Sequence, residues 1–155
     1  MPISFQHLDL LGRQVHQAHR AEVGAELARR GLSEVNPMII AILKHMEQTQ
    51  PQSFSQRDMA DVLHISPAAV TNSLKAMEKN GYISREPEEN DARRNRVELT
   101  DKGRAAVDGC EEALLTVSER MLAGFSPEER TLLADFRSRM LTNLRAEVPV
   151  SKEVS

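Results

Sequence analysis

The run Ser66-Pro67-Ala68-Ala69-Val70-Thr71-Asn72-Ser73-Leu74-Lys75-Ala76-Met77-Glu78-Lys79-Asn80-Gly81 is written for a short helix with two unlike faces. Ser66 supplies an N-cap oxygen, and Pro67 occupies the first helical position, where its missing N–H is not needed. Val70, Leu74 and Met77 recur at i, i+4 and i+7, so they share one face, and Gly81 closes the helix. Ala68, Asn72, Lys75 and Lys79 fall on the opposite face.

Immediately upstream, Ser55-Gln56-Arg57-Asp58 has capping-box spacing and opens a brief helix carrying Met59, Val62 and Leu63, which ends at His64-Ile65. Downstream, Tyr82-Ile83-Ser84-Arg85 and Arg96-Val97-Glu98-Leu99 read as two short strands. The polar residues Glu86 to Asn95 between them predict a long hairpin loop. Two short helices joined by a tight turn and followed by a hairpin describe a winged helix-turn-helix, whose second helix enters the DNA major groove.

Further out, Leu8, Leu11, Val15, Ala18, Val23 and Leu27 form a helical stripe over about residues 8–30, stopped by Gly31. Asn36-Pro37 restarts a helix through Ile39, Ile40, Ile42, Leu43 and Met46, broken at Thr49 to Ser53. Thr100-Asp101 caps a long helix to about Ala123, with Val107, Leu114, Val117, Met121 and Leu122 on its apolar side. Ser126-Pro127-Glu128-Glu129 is a second capping box and opens a last helix through Leu132, Leu133, Phe136, Met140, Leu141 and Leu144. Residues 148–155 read as a frayed tail.

The expected fold is therefore mainly α with a small β-hairpin wing. It is one domain over residues 1–155, with a DNA-binding lobe at about 36–100. Aromatic residues make up only 3% of the chain, so the core must be aliphatic, which disfavours an all-β fold. One cysteine excludes an internal disulfide framework and suits a reducing compartment. No apolar run approaches a membrane span, and Met1 to His7 does not read as a signal peptide, so a cytoplasmic location is expected. The net charge of −3 offers no global attraction to nucleic acid, which must come from local clustering of basic residues.

Ser66, Ala68, Thr71, Asn72 and Lys75 are the candidate groove-facing residues. Asn pairs with adenine in bidentate fashion, Ser and Thr bond bases or phosphates, Ala touches the thymine methyl, and Lys reaches guanine or phosphate. The competing reading is a solvated face of a surface helix. In the wing, Arg93, Arg94 and Arg96 crowd three guanidinium groups where a phosphate backbone or narrow minor groove uses them. Acidic residues Glu86, Glu88, Glu89 and Asp91 precede them, and Asp91 is a candidate partner orienting Arg93.

Asp91-Ala92-Arg93-Arg94, followed by Leu99-Thr100-Asp101-Lys102-Gly103, resembles the wing signature of the MarR (multiple antibiotic resistance regulator) family, Asp-x-Arg and then Leu-Thr-x-x-Gly. Met77-Glu78-Lys79-Asn80-Gly81-Tyr82-Ile83-Ser84-Arg85 is similar to the family's Leu-Glu-x-x-Gly-Leu-Ile-x-Arg. The motifs cover about Phe54 to Gly103, and the helix order agrees on both sides. Met77 and Tyr82 stand at usual Leu positions, and Glu88-Glu89 departs from the pattern in a way that weakens phosphate affinity.

The resemblance implies a homodimeric transcription regulator, commonly a repressor, that binds a pseudo-palindromic double-stranded operator and is released by a small-molecule effector near the hinge between its lobes. It implies dimerisation through about 8–30, 101–123 and 127–147, and a minor-groove role for Arg93. Terminal helices with more apolar face than one small lobe can cover point the same way, to a two-fold dimer with half-sites about 10–10.5 base pairs apart or a multiple.

Other residues suggest chemistry more weakly. Cys110 is a possible redox switch, but Ala106, Ala113 and Leu114 around it suggest a small buried hydrophobe. His16 and His19 have the spacing to share a metal, though such pairs are more often solvent-facing, and no metal or cofactor is expected. No phosphate loop, nucleophile elbow or zinc helix is present, so no enzyme is expected. The rival reading is a winged helix used for protein contact without DNA, supported by the acidic balance; salt-dependent DNA affinity discriminates the two.

Overall fold

A computed structural model describes residues 4–49, 54–88 and 91–146, and the side chains of residues 5, 54, 55, 88 and 91–95 fall outside that description. The tail expected at 148–155 lies outside the described residues as well. The elements in order are α1 (Phe5–Arg29), α2 (Pro37–Thr49), β1 (Phe54–Ser55), α3 (Gln56–Leu63), α4 (Pro67–Lys79), β2 (Ile83–Glu88), β3 (Asp91–Leu99), α5 (Asp101–Met121) and α6 (Pro127–Arg145). The chain divides into two compact units, Met1–Ser118 and Glu119–Ser155.

Local chemistry accounts for the helix ends. Ser4 accepts a hydrogen bond from the His7 N–H, so α1 begins a few residues before its apolar stripe does. At its other end Gly31 takes φ +71°, and the Leu32 N–H returns to the Leu27 carbonyl at 2.8 Å. The Asn36 side chain accepts from the N–H groups of both Met38 and Ile39. Between α3 and α4 the chain turns on His64, a non-glycine residue at φ +52°.

The first unit is built on one aliphatic core. Ile39 and Ile40 of α2, Met59 of α3, and Val70, Leu74 and Met77 of α4 are completely buried there. Tyr82, Ile83, Val97 and Leu99 bring the sheet onto the same core, and Val107, Cys110, Ala113 and Val117 bring α5. The periodic faces of α2 and α4 read from the sequence therefore meet one another, as burial of aliphatic surface requires, whereas Leu8, Leu11 and Val15 of the α1 stripe and Val62 of α3 stay exposed.

The hairpin departs from expectation. Instead of a loop over 86–95, β2 continues to Glu88 and β3 begins at Asp91, with Arg85 opposite Val97, Glu86 opposite Arg96 and Pro87 opposite Asn95. Ladder hydrogen bonds join backbone groups whatever the side chains, so a polar stretch continues a ribbon without apolar alternation, and its sequence looks like a loop. Pro87 is tolerated because β2 is an edge strand in the order β1-β3-β2. Beyond Pro87 the register shifts so that Glu88 faces Asp91, leaving Ala92, Arg93 and Arg94 as a bulge in β3. The two-residue β1, which pairs with Val97 and Arg96, is too short to leave a periodic signal.

The second unit contains the end of α5 and α6. Ser126 and Glu129 form a reciprocal capping box, and Arg130 ties the helix start to Glu119 and to the Leu122 carbonyl. α5 stops at Met121 rather than Ala123, and Gly124 makes the turn at φ +83°. No residue of α6 is buried. Among the described residues no helix is long and apolar enough to cross a membrane.

Candidate nucleic-acid interface

α4 presents the two faces that its sequence specifies. Behind it, Val70, Leu74 and Met77 are sealed in the core; in front, Ala68, Asn72, Lys75 and Lys79 are exposed. The five candidate groove residues are not equivalent. Ser66 is exposed but spends its hydroxyl oxygen on the Ala69 N–H at 3.1 Å, as an N-cap. Thr71 is half-buried: its hydroxyl donates to the Pro67 carbonyl at 2.9 Å and accepts from the Gln56 amide at 3.4 Å. Ala68, Asn72 and Lys75 are left with their side chains directed to solvent.

The only acidic residue on α4, Glu78, is neutralised within the fold. Arg85 of β2 donates to both of its carboxylate oxygens, at 3.2 Å and 2.9 Å, in a bidentate fork. The Arg85 hydrogen bonds hold Glu78 below its ordinary value of 4.5, and the same pairing raises Arg85. Because the folded carboxyl is depressed, its stabilising contribution is complete well above 4.5 and is lost as pH falls through that range. Replacing Glu78 by Gln should therefore flatten the acid limb of a melting-temperature profile between about pH 5 and 3, with wild type and variant converging at the acid end.

A third bond from Arg85, Nη1 to the Gln56 Oε1 at 3.3 Å, joins this pair to α3. Glu78 and Arg85 stand in a motif noticed by resemblance, but the reason for their spacing emerges only here. The role of Gln56 was missed altogether, since nothing around it in the sequence marks a partner.

The base of the wing is locked to α5 by another motif. Thr100 donates through its hydroxyl to the Gly81 carbonyl at 2.5 Å, receives the Gly103 N–H at 3.1 Å, and sends its own N–H to the Tyr82 carbonyl at 3.1 Å. Lys102 reaches the Asn80 carbonyl at 2.7 Å and lies over the Tyr82 ring, 4.5 Å from its centroid. Gly81 adopts φ +81°, which few other residues accept.

Of the wing candidates, Arg96 is exposed and paired with Glu98 at 2.7 Å. Asp91, Arg93 and Arg94 belong to β3 by their backbone, but their side chains, and with them the expected Asp91–Arg93 contact, lie outside the described residues.

Behind α4, the first unit holds an open cleft of about 490 Å³. His16, His19 and Arg20 of α1 line one side, Val23, Leu27 and Leu114 give it an apolar lining, and Ser73 and Ala76 of α4 border it. His16 and His19 thus share a cleft, while among the described residues no group of three or more His, Cys, Asp or Glu is placed to hold a metal ion.

Cys110 is buried, and burial, helped by the Glu111 charge, pushes its thiol up to about 11. At neutral pH it holds almost no thiolate, the reactive form. Native protein should alkylate with iodoacetamide about 100-fold or more slower than after denaturation; equal rates would show an accessible, reactive thiol.

A family model described as "MarR family" matches residues 35–94. An uncharacterized HTH-type transcriptional regulator of Bacillus subtilis, YdgJ, is 34% identical over 114 residues, which are 74% of this chain and 66% of that protein. The HTH-type transcriptional regulator PecS of Dickeya dadantii is 30% identical over 94 residues, covering 61% of this chain and 57% of that one. The chain therefore spans two thirds or less of the length of these two relatives. The S. aureus MepR–DNA complex matches the fold with a TM-score of 0.75 at 20% identity, covering 92% of this chain and 99% of that one.

Proposed function

The chain belongs to the MarR family, and on that footing we propose that it is a transcription regulator that binds double-stranded DNA as a homodimer. The observation that carries this reading is α4 itself: a helix anchored by three fully buried side chains, with Ala68, Asn72 and Lys75 exposed on the opposite face and its one acidic residue neutralised by the wing. Ser66 and Thr71 serve by fixing the start of this helix. Arg93, Arg94 and Arg96 contact the phosphate backbone or minor groove, with Asp91 orienting Arg93. The MepR structure, a protein of the same fold on DNA, supports the arrangement.

Residues 36–100 form the DNA-binding lobe, and 8–30 with 101–147 form the dimerisation helices. Leu8, Leu10, Leu11 and Val15 on α1, and Phe136, Met140, Leu141 and Leu144 on α6, are left exposed by the single chain, and a second copy covers them. Light scattering at micromolar concentration should give twice the 17.4 kDa chain mass; a monomer at that concentration would remove the dimer from the reading.

The protein acts as a repressor in the cytoplasm, without catalysis. Its effector occupies the cleft behind α4, where the polar His16, His19, Arg20 and Glu34 beside the apolar Val23, Leu27 and Leu114 suit a small organic molecule with a polar group on an apolar body. The test is selection of random duplexes by the purified protein. Enrichment of an inverted repeat with half-sites one helical turn apart, or a multiple, is the expected result. A folded dimer that binds no duplex at low salt would instead make the winged helix a protein-contact module.

A further inference from the structure

We infer that Gln56 is a positioning residue that couples the recognition helix to the wing, so that α4 and the β2–β3 ribbon meet DNA as one rigid unit; this rests on the DNA-binding reading above. Gln56 is the first residue of α3 and is half-buried. Its amide is used at both ends: Nε2 donates to the Thr71 hydroxyl on α4 at 3.4 Å, and Oε1 accepts from Arg85 on β2 at 3.3 Å.

Neither partner is free to turn elsewhere. The Thr71 hydroxyl proton is committed to the Pro67 carbonyl in the first turn of α4, and Arg85 is clamped on Glu78 near the end of the same helix. The three contacts close a loop from one end of α4 through α3 to the wing and back to the other end of α4. An amide suits the junction because it offers a donor and an acceptor on one short side chain; a carboxylate lacks the donor and an ammonium lacks the acceptor.

Precision of this kind governs specific binding. Non-specific attraction to phosphates tolerates small errors in the angle between helix and wing, whereas bidentate base contacts do not. Gln56 touches no DNA in this scheme; it acts through the two elements it joins.

The experiment is a double-mutant cycle between Gln56→Met and Arg93→Ala, read by affinity for a selected operator duplex and for a random duplex of equal length. Gln56→Met keeps the side-chain length and helix propensity but removes both hydrogen bonds. It should weaken operator binding about tenfold, leave random-duplex affinity within about twofold, and leave the salt slope unchanged, because no phosphate contact is lost. In the Arg93→Ala background the same substitution should cost about twofold or less, since the wing it positions no longer contributes. Thr71→Val, which keeps the Arg85 contact but removes the Gln56 contact to α4 together with the hydroxyl's own bond to the Pro67 carbonyl, should still fall between wild type and Gln56→Met.

A full tenfold loss that persists without Arg93, an equal loss on random duplex, or no loss at all would overturn the coupling while leaving DNA binding intact. Wild-type protein that binds neither duplex would overturn the DNA-binding reading and the coupling with it. Circular dichroism melts of the variants separate either outcome from misfolding, and a variant that fails to fold assigns Gln56 to fold stability and overturns the positioning role.

Discussion

Gly103→Ala should destabilise the protein by about 3 kcal/mol, lowering its melting temperature by about 6–12 °C. Helix propensity alone forecasts the opposite sign, because replacing a glycine inside a helix such as α5 gains roughly 1 kcal/mol. The tertiary structure reverses that expectation. A Cβ on Gly103 would run into the backbone carbonyl oxygen of Tyr82 and meet Leu99 Cδ2 at 3.1 Å. The carbonyl cannot yield, since it accepts the Thr100 N–H at 3.1 Å while the Tyr82 N–H is held by the Met77 carbonyl at 2.9 Å.

Gly109→Ala on the same helix is the control. There the added methyl meets only the end of the flexible Leu32 side chain, at 2.8 Å, so the change should be close to neutral. Thermal unfolding of the two variants side by side decides the matter. Equal effects would mean that the close approach of α5 to the wing base does not constrain position 103.

The second large effect is expected at Asn72. Asn72→Ala should weaken operator binding by about 10- to 100-fold, the range of one good bidentate base contact, with little change on random DNA. With the Ser66 oxygen serving as a cap and the Thr71 hydroxyl engaged with Pro67 and Gln56, Asn72 is the exposed residue on this face able to donate and accept at once. Ala68 offers a methyl and Lys75 only donors. Repeating the duplex selection with the variant should relax one symmetry-related pair of operator positions, expected to be adenine. An unchanged consensus and affinity would place Asn72 outside the groove.

Much of this architecture is legible along the chain. The buried faces of α2 and α4, the caps at Ser66 and Ser126, and the stops at Gly31 and Gly81 all stand where spacing and residue type place them. The wing was readable as a hairpin but not in its extent, because Glu86, Pro87 and Glu88 pair with Arg96, Asn95 and Asp91 along the backbone and leave no apolar pattern. The motif residues Glu78, Arg85, Thr100 and Gly103 were visible by resemblance, but their purpose was not. Each works through a partner brought near by folding: Glu78 and Arg85 through each other, and Gly103 through a carbonyl on the far side of the hairpin.

The division has a physical origin. Helix hydrogen bonds, caps and apolar stripes are made between residues no more than about four positions apart, so the sequence by itself determined which segments are helical and which faces of α2 and α4 are buried. Contacts between elements depend on how those faces dock. The meeting of Gln56 with Thr71, 15 residues away, and with Arg85, 29 residues away, leaves no local trace, nor does the cleft that His16 and His19 share with Ser73 and Ala76. Only the close packing of α3, α4 and the sheet on one core brings those groups within hydrogen-bonding reach.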